Sequence, residues 1–321
     1  MSSKKQTSTL VVVGLGEIGI SIGSLLRRSG FKVIGFDIEE EARVRAQKKG
    51  LESSTSLKGA IQACEGSTPR IIWLALTSDV LDRVVEELRI MLTPGDIIID
   101  GSNSFFKETV RRHDDLLIYG INYVDVGLTK HIKAGGGALF ELSVGCDKRV
   151  FVMVEHVLQR LTSDGYVRVG ETGSGHLVKM VQHAVEYGVT TALAEGVSIL
   201  ENYKDGLEVD VPSAITTFKT GGLISHRVLD WLAETYKTKG RLSKISLKHA
   251  KPETEMEIGY IIKEHPTKVL EAASFHRQKL HLDVSAITIL VRAMQNQFSG
   301  RRTLHHIKES EGTWGSATDK D

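Results

Sequence analysis

Apolar and polar positions divide this chain into two regimes. In the first half, short runs rich in β-branched residues, "TLVVVG", "FKVIGFD", "RIIWLAL" and "DIIIDGS", alternate with stretches of helical periodicity, "EIGISIGSLLRRSG", "EEEARVRAQKKG" and "SDVLDRVVEELRIML". Unbroken apolar runs of this length predict strands buried on both faces. Strand alternating with helix predicts a doubly wound, mostly parallel α/β sheet. "YVDVGL", "FELSVG" and "YVRVGE" extend it. Beyond Gly175 the strand-like runs stop and helical periodicity takes over, first from His176 to about Asn202. It continues in "VPSAITTFKTG", "LISHRVLDWLAETYK", "TEMEIGYIIKEH", "TKVLEAASFHRQKL" and "VSAITILVRAMQNQF". We therefore expect an α/β domain over residues 1–174, an all-α domain built around a long central helix over 175–300, and a polar tail over 301–321. Thr172 or Ser174 is placed to cap the long helix.

That helix contains "KMVQHAVEY", which sets Lys179, His183 and Glu186 inside an apolar run. At 3.6 residues per turn, with Lys179 at zero, His183 falls near ~40°, Glu186 near ~−20° and Thr190 near ~20°. His176 and Tyr187 lie near ~60° and ~80°. Leu177, Val181, Ala184, Val185 and Gly188 fall on the far side, which is expected to be the packed one. The polar row is one side chain wide and flanked by Val178, Met180 and Val189. A solvated face is usually broader, so a lined cleft is favoured over an exposed stripe of i,i+4 charges. In a cleft, desolvation moves an amine down and a carboxyl up toward neutral pH, which suits acid–base work.

"VVVGLGEIG" places Gly14, Gly16 and Gly19 as G-x-G-x-x-G between a strand and a helix. The first glycine allows the tight turn, the second lets a pyrophosphate approach, and the third lets helix and strand pack closely. The helix start, with Glu17 and Ile18, offers free N–H groups to phosphate. Asp37 ends the second strand, where an acidic residue accepts hydrogen bonds from the adenosine ribose. With strand, helix and acid all present, the motif reads as a Rossmann dinucleotide site rather than a structural turn. Asp37 is followed by Glu39, Glu40 and Glu41, and no Arg or Lys stands immediately after it. NAD is therefore favoured over NADP.

Composition narrows the partners. Lys plus Arg is 41 against 40 for Asp plus Glu, so no bulk charge draws the chain to nucleic acid or anionic membrane. Aromatic residues are scattered and offer no stacking platform for bases. No run reaches the roughly 18 apolar residues that span a bilayer, and the N-terminal apolar run breaks at Gly14, too short for a secretory signal. Cys64 and Cys146 carry no pairing motif and suit a reducing cytoplasm. His249, His265, His276 and His281 lack metal-ligand spacing, so no metal is expected.

Four segments following the glycine turn, "DGSNSFFKETVRR", "YVDVGLTKH", "GSGHLVKMVQHAVEYG" and "NQFSG", resemble the 6-phosphogluconate dehydrogenases of the shorter bacterial type, within the β-hydroxyacid dehydrogenase superfamily. The resemblance runs from about Leu10 to about Gly300. It implies a homodimer in which one subunit's tail closes the other's site. It also implies Lys179 as general base and Glu186 as general acid, with His183 beside them. Asn103 would lie near nicotinamide and substrate, Leu76 and Thr77 along the cofactor, and Tyr187 on a substrate phosphate. The chain departs from the family where the substrate is gripped. Thr129-Lys130-His131 replaces a Ser-Gly-Gly turn that receives a carboxylate, and Gln182-His183 replaces a His-Asn pair. Ser225, with Arg227 nearby, and Gln295 stand at positions of phosphate-binding arginines, and Arg301 at that of a tail histidine. Each lost charge-assisted contact costs roughly 1.5–3 kcal/mol. The expected substrate is therefore a neutral polyhydroxylated molecule, a sugar, sugar derivative or nucleoside, met by Thr129, Lys130, His131, Gln182 and Tyr187.

Three functions fit these residues. One is an NAD-dependent dehydrogenase of a secondary alcohol. A second is a redox-neutral dehydratase or epimerase, in which tightly held NAD takes a hydride, a neighbouring hydroxyl is eliminated with Glu186 as acid, and the hydride returns. The third is a non-catalytic NAD sensor, against which the joint retention of Lys179, Glu186 and Asn103 argues.

Overall fold

The structure is a computed structural model. It describes residues 9–64, 66–132, 138–162, 165–203, 207–221, 228–230, 232–233, 252–265, 267–279, 287, 289–291 and 294. The chain divides into two compact units, Met1–His183 and Ala184–Asp321.

In the first unit, strand and helix alternate as the apolar runs predict: β1 Thr9–Val13, α1 Glu17–Arg28, β2 Lys32–Phe36, α2 Glu40–Lys48, β3 Glu52–Ser54, α3 Leu57–Gln62, β4 Ile71–Leu74, α4 Ser78–Met91 and β5 Ile97–Asp100. Then follow α5 Phe106–Leu117, β6 Asn122–Ile132, β7 Ala138–Gly145, α6 Lys148–Leu158 and β8 Tyr166–Gly170. The sheet order is β3-β2-β1-β4-β5-β6-β7-β8. Among the described residues the single antiparallel pair is β6 with β7, with Thr129 opposite Glu141 and Lys130 opposite Phe140. Residues of β1, β4 and β5 are almost wholly excluded from solvent, because helices cover both faces of the sheet. One core gathers Leu10, Val12, Leu26, Trp73, Ile97 and Phe140; the opposite face gathers Val11, Val13, Ile72, Leu81, Leu88 and Tyr123. β3, α3, α5 and α6 were not among the expected elements. β3 is three residues long, and α5 and α6 each come within a few residues of a strand whose apolar run dominates the local pattern.

The long helix α7 spans Ser174–Glu201, so it begins at the expected glycine-rich turn. The first compact unit extends nine residues past that start. Within the second unit, Leu193, Val197, Val211, Ile215, Leu229, Leu232, Leu290 and Met294 form one apolar core. Its further helices, α8 Val211–Gly221, α9 Pro252–Glu264 and α10 Lys268–Lys279, match three of the expected periodic segments. Ser225, Arg227, Gln295, Arg301, the tail 301–321 and most of two expected helices lie outside the described residues, as does the side chain of His131.

The packing of α7 corrects one expectation. Lys179 is 6 % exposed, whereas Leu177, Val181 and Val185, placed on the packed side, are 37 %, 43 % and 52 % exposed. The physical reason is a close backbone crossing. A Cβ on Gly127 of β6 would stand 2.6 Å from the Gly175 carbonyl and 2.7 Å from the Lys179 Cβ; one on Gly175 would stand 2.6 Å from the Ser143 carbonyl. The start of α7 thus lies against β6 and β7 through glycine contacts, and it turns Lys179, not Leu177 or Val181, toward the sheet.

Candidate active site

β1 pairs with β2 on one side and β4 on the other, so the strand order reverses there. Ligands of doubly wound sheets bind outside the carboxyl ends of strands at such a point. The glycine turn after β1 is built for it. Gly14 has φ +92°, and a Cβ there would sit 2.4 Å from the Ala75 carbonyl oxygen; one on Gly19 would sit 1.8 Å from that of Gly14. A Cβ on Gly16 would meet nothing within 4 Å, so the backbone borders open space there. No side chain caps α1, whose first residues, exposed Glu17 and half-buried Ile18, follow Gly16 directly. Uncapped N–H groups facing open space suit an anionic group, and a dinucleotide pyrophosphate fits this cradle.

Asp37 follows β2. Its carboxylate accepts from the Leu15 N–H at 2.7 Å and from the Glu39 N–H at 2.9 Å. The first bond ties the acidic residue to the glycine turn. Sequence reasoning missed Arg43, which sits in α2 and donates through Nη1 to the carbonyls of Asp37 at 2.7 Å and Ile38 at 3.0 Å. Only the turn of α2 brings it back, so its distance along the chain concealed it.

Leu76 and Thr77 follow β4, and exposed Asn103 follows β5. One buried carboxylate organises this part. Asp100, with no exposed surface, accepts from the Ser102 N–H at 2.9 Å, the Ser104 hydroxyl at 3.1 Å and the Tyr123 phenol at 2.8 Å. Burial, and then the Asp100 charge, hold the Tyr123 phenol well above its ordinary pKa, so it stays a donor. The Ser102 hydroxyl accepts from the Leu76 N–H at 3.1 Å, which joins the two loops. Asp100 was legible as a carboxylate ending an isoleucine run, a place where an acid must have partners.

The end of β6 extends past β5 and carries Thr129 and Lys130. The Lys179 ammonium donates to the Thr129 hydroxyl at 2.7 Å, and that hydroxyl donates to the Gln182 side-chain oxygen at 3.3 Å. Lys130, largely covered, forms an ion pair with Glu17 at the glycine turn. The cap of α7 differs from the expected Thr172 or Ser174. Asp125 of β6, fully buried, accepts from the Gly173 N–H at 2.6 Å and the His176 N–H at 2.8 Å. The Ser174 hydroxyl donates instead to the Glu171 carbonyl at 2.6 Å. Burial raises the Asp125 carboxyl above its usual range, against the opposing pull of His176 and those two N–H groups.

The first unit thus brings together Gly14, Gly16, Glu17, Ile18, Gly19, Asp37, Leu76, Thr77, Asn103, Thr129, Lys130 and Lys179 along the carboxyl edge of the sheet, with half-buried Gln182 and His183 on α7. Glu186 and Tyr187 belong to the second unit and are half-buried; their carbonyls accept from the Thr190 hydroxyl at 2.8 and 3.1 Å. Among the described residues no cluster of three or more metal-ligating groups occurs, and no helix is long and apolar enough to cross a membrane.

Comparison with known proteins matches residues 9–171 to the NAD-binding domain of 6-phosphogluconate dehydrogenase. A Bacillus subtilis protein, YqeC, whose name places it provisionally with the 6-phosphogluconate dehydrogenases, is 28 % identical over 91 % of this chain and 98 % of its own. An NAD(+)-dependent, decarboxylating 6-phosphogluconate dehydrogenase from Haloferax volcanii is 30 % identical over 72 % of this chain and 76 % of its own. A solved 3-hydroxyisobutyrate dehydrogenase of Mycobacterium tuberculosis, with L-serine, shares the fold at a TM-score of 0.69. It is 17 % identical, with 90 % of this chain and 100 % of that one covered.

Proposed function

The chain belongs to the 6-phosphogluconate dehydrogenase family, an NAD-dependent dehydrogenase-like enzyme, and from that premise we propose that it oxidises a secondary hydroxyl of a neutral, sugar-like substrate, with NAD as the preferred cofactor. The observation that carries this reading is Lys179, buried at the carboxyl edge of the sheet with its Nζ on Thr129. A buried lysine is costly unless it is hydrogen-bonded, and one held in a polar chain at a ligand crevice is a candidate base.

The backbone of Gly14, Gly16, Glu17, Ile18 and Gly19 would hold the pyrophosphate and Asp37 the adenosine ribose, with Leu76, Thr77 and Asn103 toward the nicotinamide. When bound, the cofactor supplies the hydride acceptor. Neutral Lys179 keeps one N–H on Thr129 and turns its lone pair to the substrate hydroxyl. Lys179 would take the hydroxyl proton as the carbon gives up its hydride, which leaves a ketone. Thr129, with Gln182 behind it, orients the amine. Glu186 serves as acid in this reading, with His183 and Tyr187 on the same helix. The acidic run from Asp37 to Glu41 favours NAD by repelling a 2′-phosphate. The replaced Ser-Gly-Gly turn favours an uncharged substrate, since Lys130 is directed to the glycine turn, where it pairs with Glu17.

We place the enzyme in the cytoplasm, in keeping with two free, buried thiols. Burial pushes Cys64 to about 11 and Cys146 to about 12, which keeps them protonated and unreactive. The exposed stripe of Leu177, Val181, Val185 and Val189 on α7 supports a homodimer, to be checked by sedimentation. A screen of neutral sugars and nucleosides with NAD, read by mass and at 340 nm, tests the activity. Ketone with matching NADH supports it; loss of one water without NADH replaces it with redox-neutral elimination. Lys179→Met must abolish turnover by at least a thousandfold while NAD still binds, and a variant with wild-type turnover refutes the base.

A further inference from the structure

Lys130 stands where the resembling family has a glycine that meets a substrate carboxylate, yet its ammonium pairs with Glu17, 113 positions earlier in the chain. Glu17 opens α1 directly after Gly16, the one glycine of the turn that borders open space. An acid in the first turn favours the helix dipole, but beside a pyrophosphate site it repels the ligand. A cation brought from another strand to that acid restores the local charge. The two partners are unequally placed: the Lys130 side chain is 20 % exposed and that of Glu17 is 67 % exposed. The lysine is thus the covered half of the pair and the glutamate the exposed half.

We propose that Lys130 is a cofactor-retaining residue, whose ammonium passes from Glu17 to the dinucleotide pyrophosphate on binding. It rests on the reading that the glycine turn holds a dinucleotide. Glu17 and the pyrophosphate compete for one ammonium. Lys130 thus adds a charge-assisted contact to those of the backbone, and β6, which carries Thr129, becomes coupled to cofactor occupancy. A retained cofactor is also what repeated hydride return would require.

The test is isothermal titration of NAD, ADP-ribose and adenosine into the full chain, with Lys130→Met and Glu17→Gln variants, at low and moderate salt. The proposal expects Lys130→Met to weaken NAD and ADP-ribose about tenfold, with a shallower salt dependence and no change for adenosine. It expects Glu17→Gln to tighten NAD, because the competitor for the ammonium is gone. A pair that merely braced the fold would shift both variants the same way, and that result overturns the proposal. So does an unchanged NAD affinity in Lys130→Met. Thermal melts separate folding from binding: an ion pair whose acid is 67 % exposed contributes little, so both variants should melt near the wild type. A wild-type chain that binds neither NAD nor ADP-ribose overturns the dinucleotide reading itself, and this inference falls with it.

Discussion

Replacing Asp125 by Asn should loosen the start of the helix that carries Lys179. The side chains are nearly the same shape, so no cavity forms. What changes is the acceptor set. The carboxylate receives two short bonds, from Gly173 and His176 N–H; the amide has one oxygen and must turn its NH2 toward the other N–H. One charge-assisted bond is lost, worth roughly 1.5–3 kcal/mol, and one buried donor is orphaned at about 1–3. Against this, a fully buried carboxylate no longer has to be desolvated. A net cost of about 2–3 kcal/mol follows, which in a unit of this size lowers Tm by about 5–10 °C.

The pH dependence has a definite sign. Burial raises the folded-state carboxyl of Asp125 above its unfolded value of 3.8. Its contribution is therefore largest below that value and is lost as pH rises through the folded pKa. The groups around it are His176 and Asp100. The gap between wild type and Asp125→Asn should accordingly be wider at pH 4.5 than at pH 8. Hydrogen exchange gives a readout free of substrate: amides 174–180 should exchange faster in the variant at equal global stability. Unchanged Tm and unchanged protection of those amides would refute the cap; a gap that widens toward pH 8 would refute the electrostatic part alone.

Three further substitutions probe the same frame. Asp96 accepts from Arg70 at 2.5 and 2.9 Å and from two backbone N–H groups. Burial works against its ionised form, but the Arg70 and backbone bonds prevail and hold it below the usual carboxylate pKa. Its stabilisation is present above the unfolded value and lost as pH falls through the folded one. Asp96→Asn should therefore cost about 2–4 kcal/mol at pH 7 and progressively less as pH falls below the unfolded carboxyl value, as denaturation across that range will show. Asp100→Asn should weaken NAD by about tenfold while ADP-ribose, which lacks the nicotinamide, loses far less, because the loop bearing Asn103 slackens. Asp37→Ala should weaken NAD by about tenfold and narrow the proposed preference over NADP, since the acid proposed to meet the ribose goes and Arg43 remains; equal losses for both cofactors would contradict the ribose assignment.

The extent to which this site could be read without coordinates follows from the range of each interaction. The glycine turn and Asp37 declare themselves because strand, turn, helix and acid lie within thirty residues and answer to local rules. The helix from Ser174 and its polar row are legible from periodicity for the same reason. Periodicity gives the relative angles of side chains, however, and carries no information on which face is pressed inward. The usual assumption that valines go in failed for Leu177, Val181 and Val185. The deciding features were glycines on other strands, Gly127 and Gly145, that admit α7 at backbone distance. A Cβ on Gly145 would sit 2.8 Å from the Gly175 nitrogen. The same reason hid the cap: Asp125 lies nearly fifty residues before the N–H groups it accepts from, so a search for a neighbouring Thr or Ser could only find the wrong partner. Yet both buried acids carried a signal that went unused. Asp100 ends an isoleucine run and Asp125 breaks the apolar run at residues 123–128, at opposed positions of neighbouring strands. An acid in such a place demands donors nearby. The donors it recruits here, Ser102 under Asn103 and Gly173 under Lys179, fix the two segments on which the proposed chemistry depends.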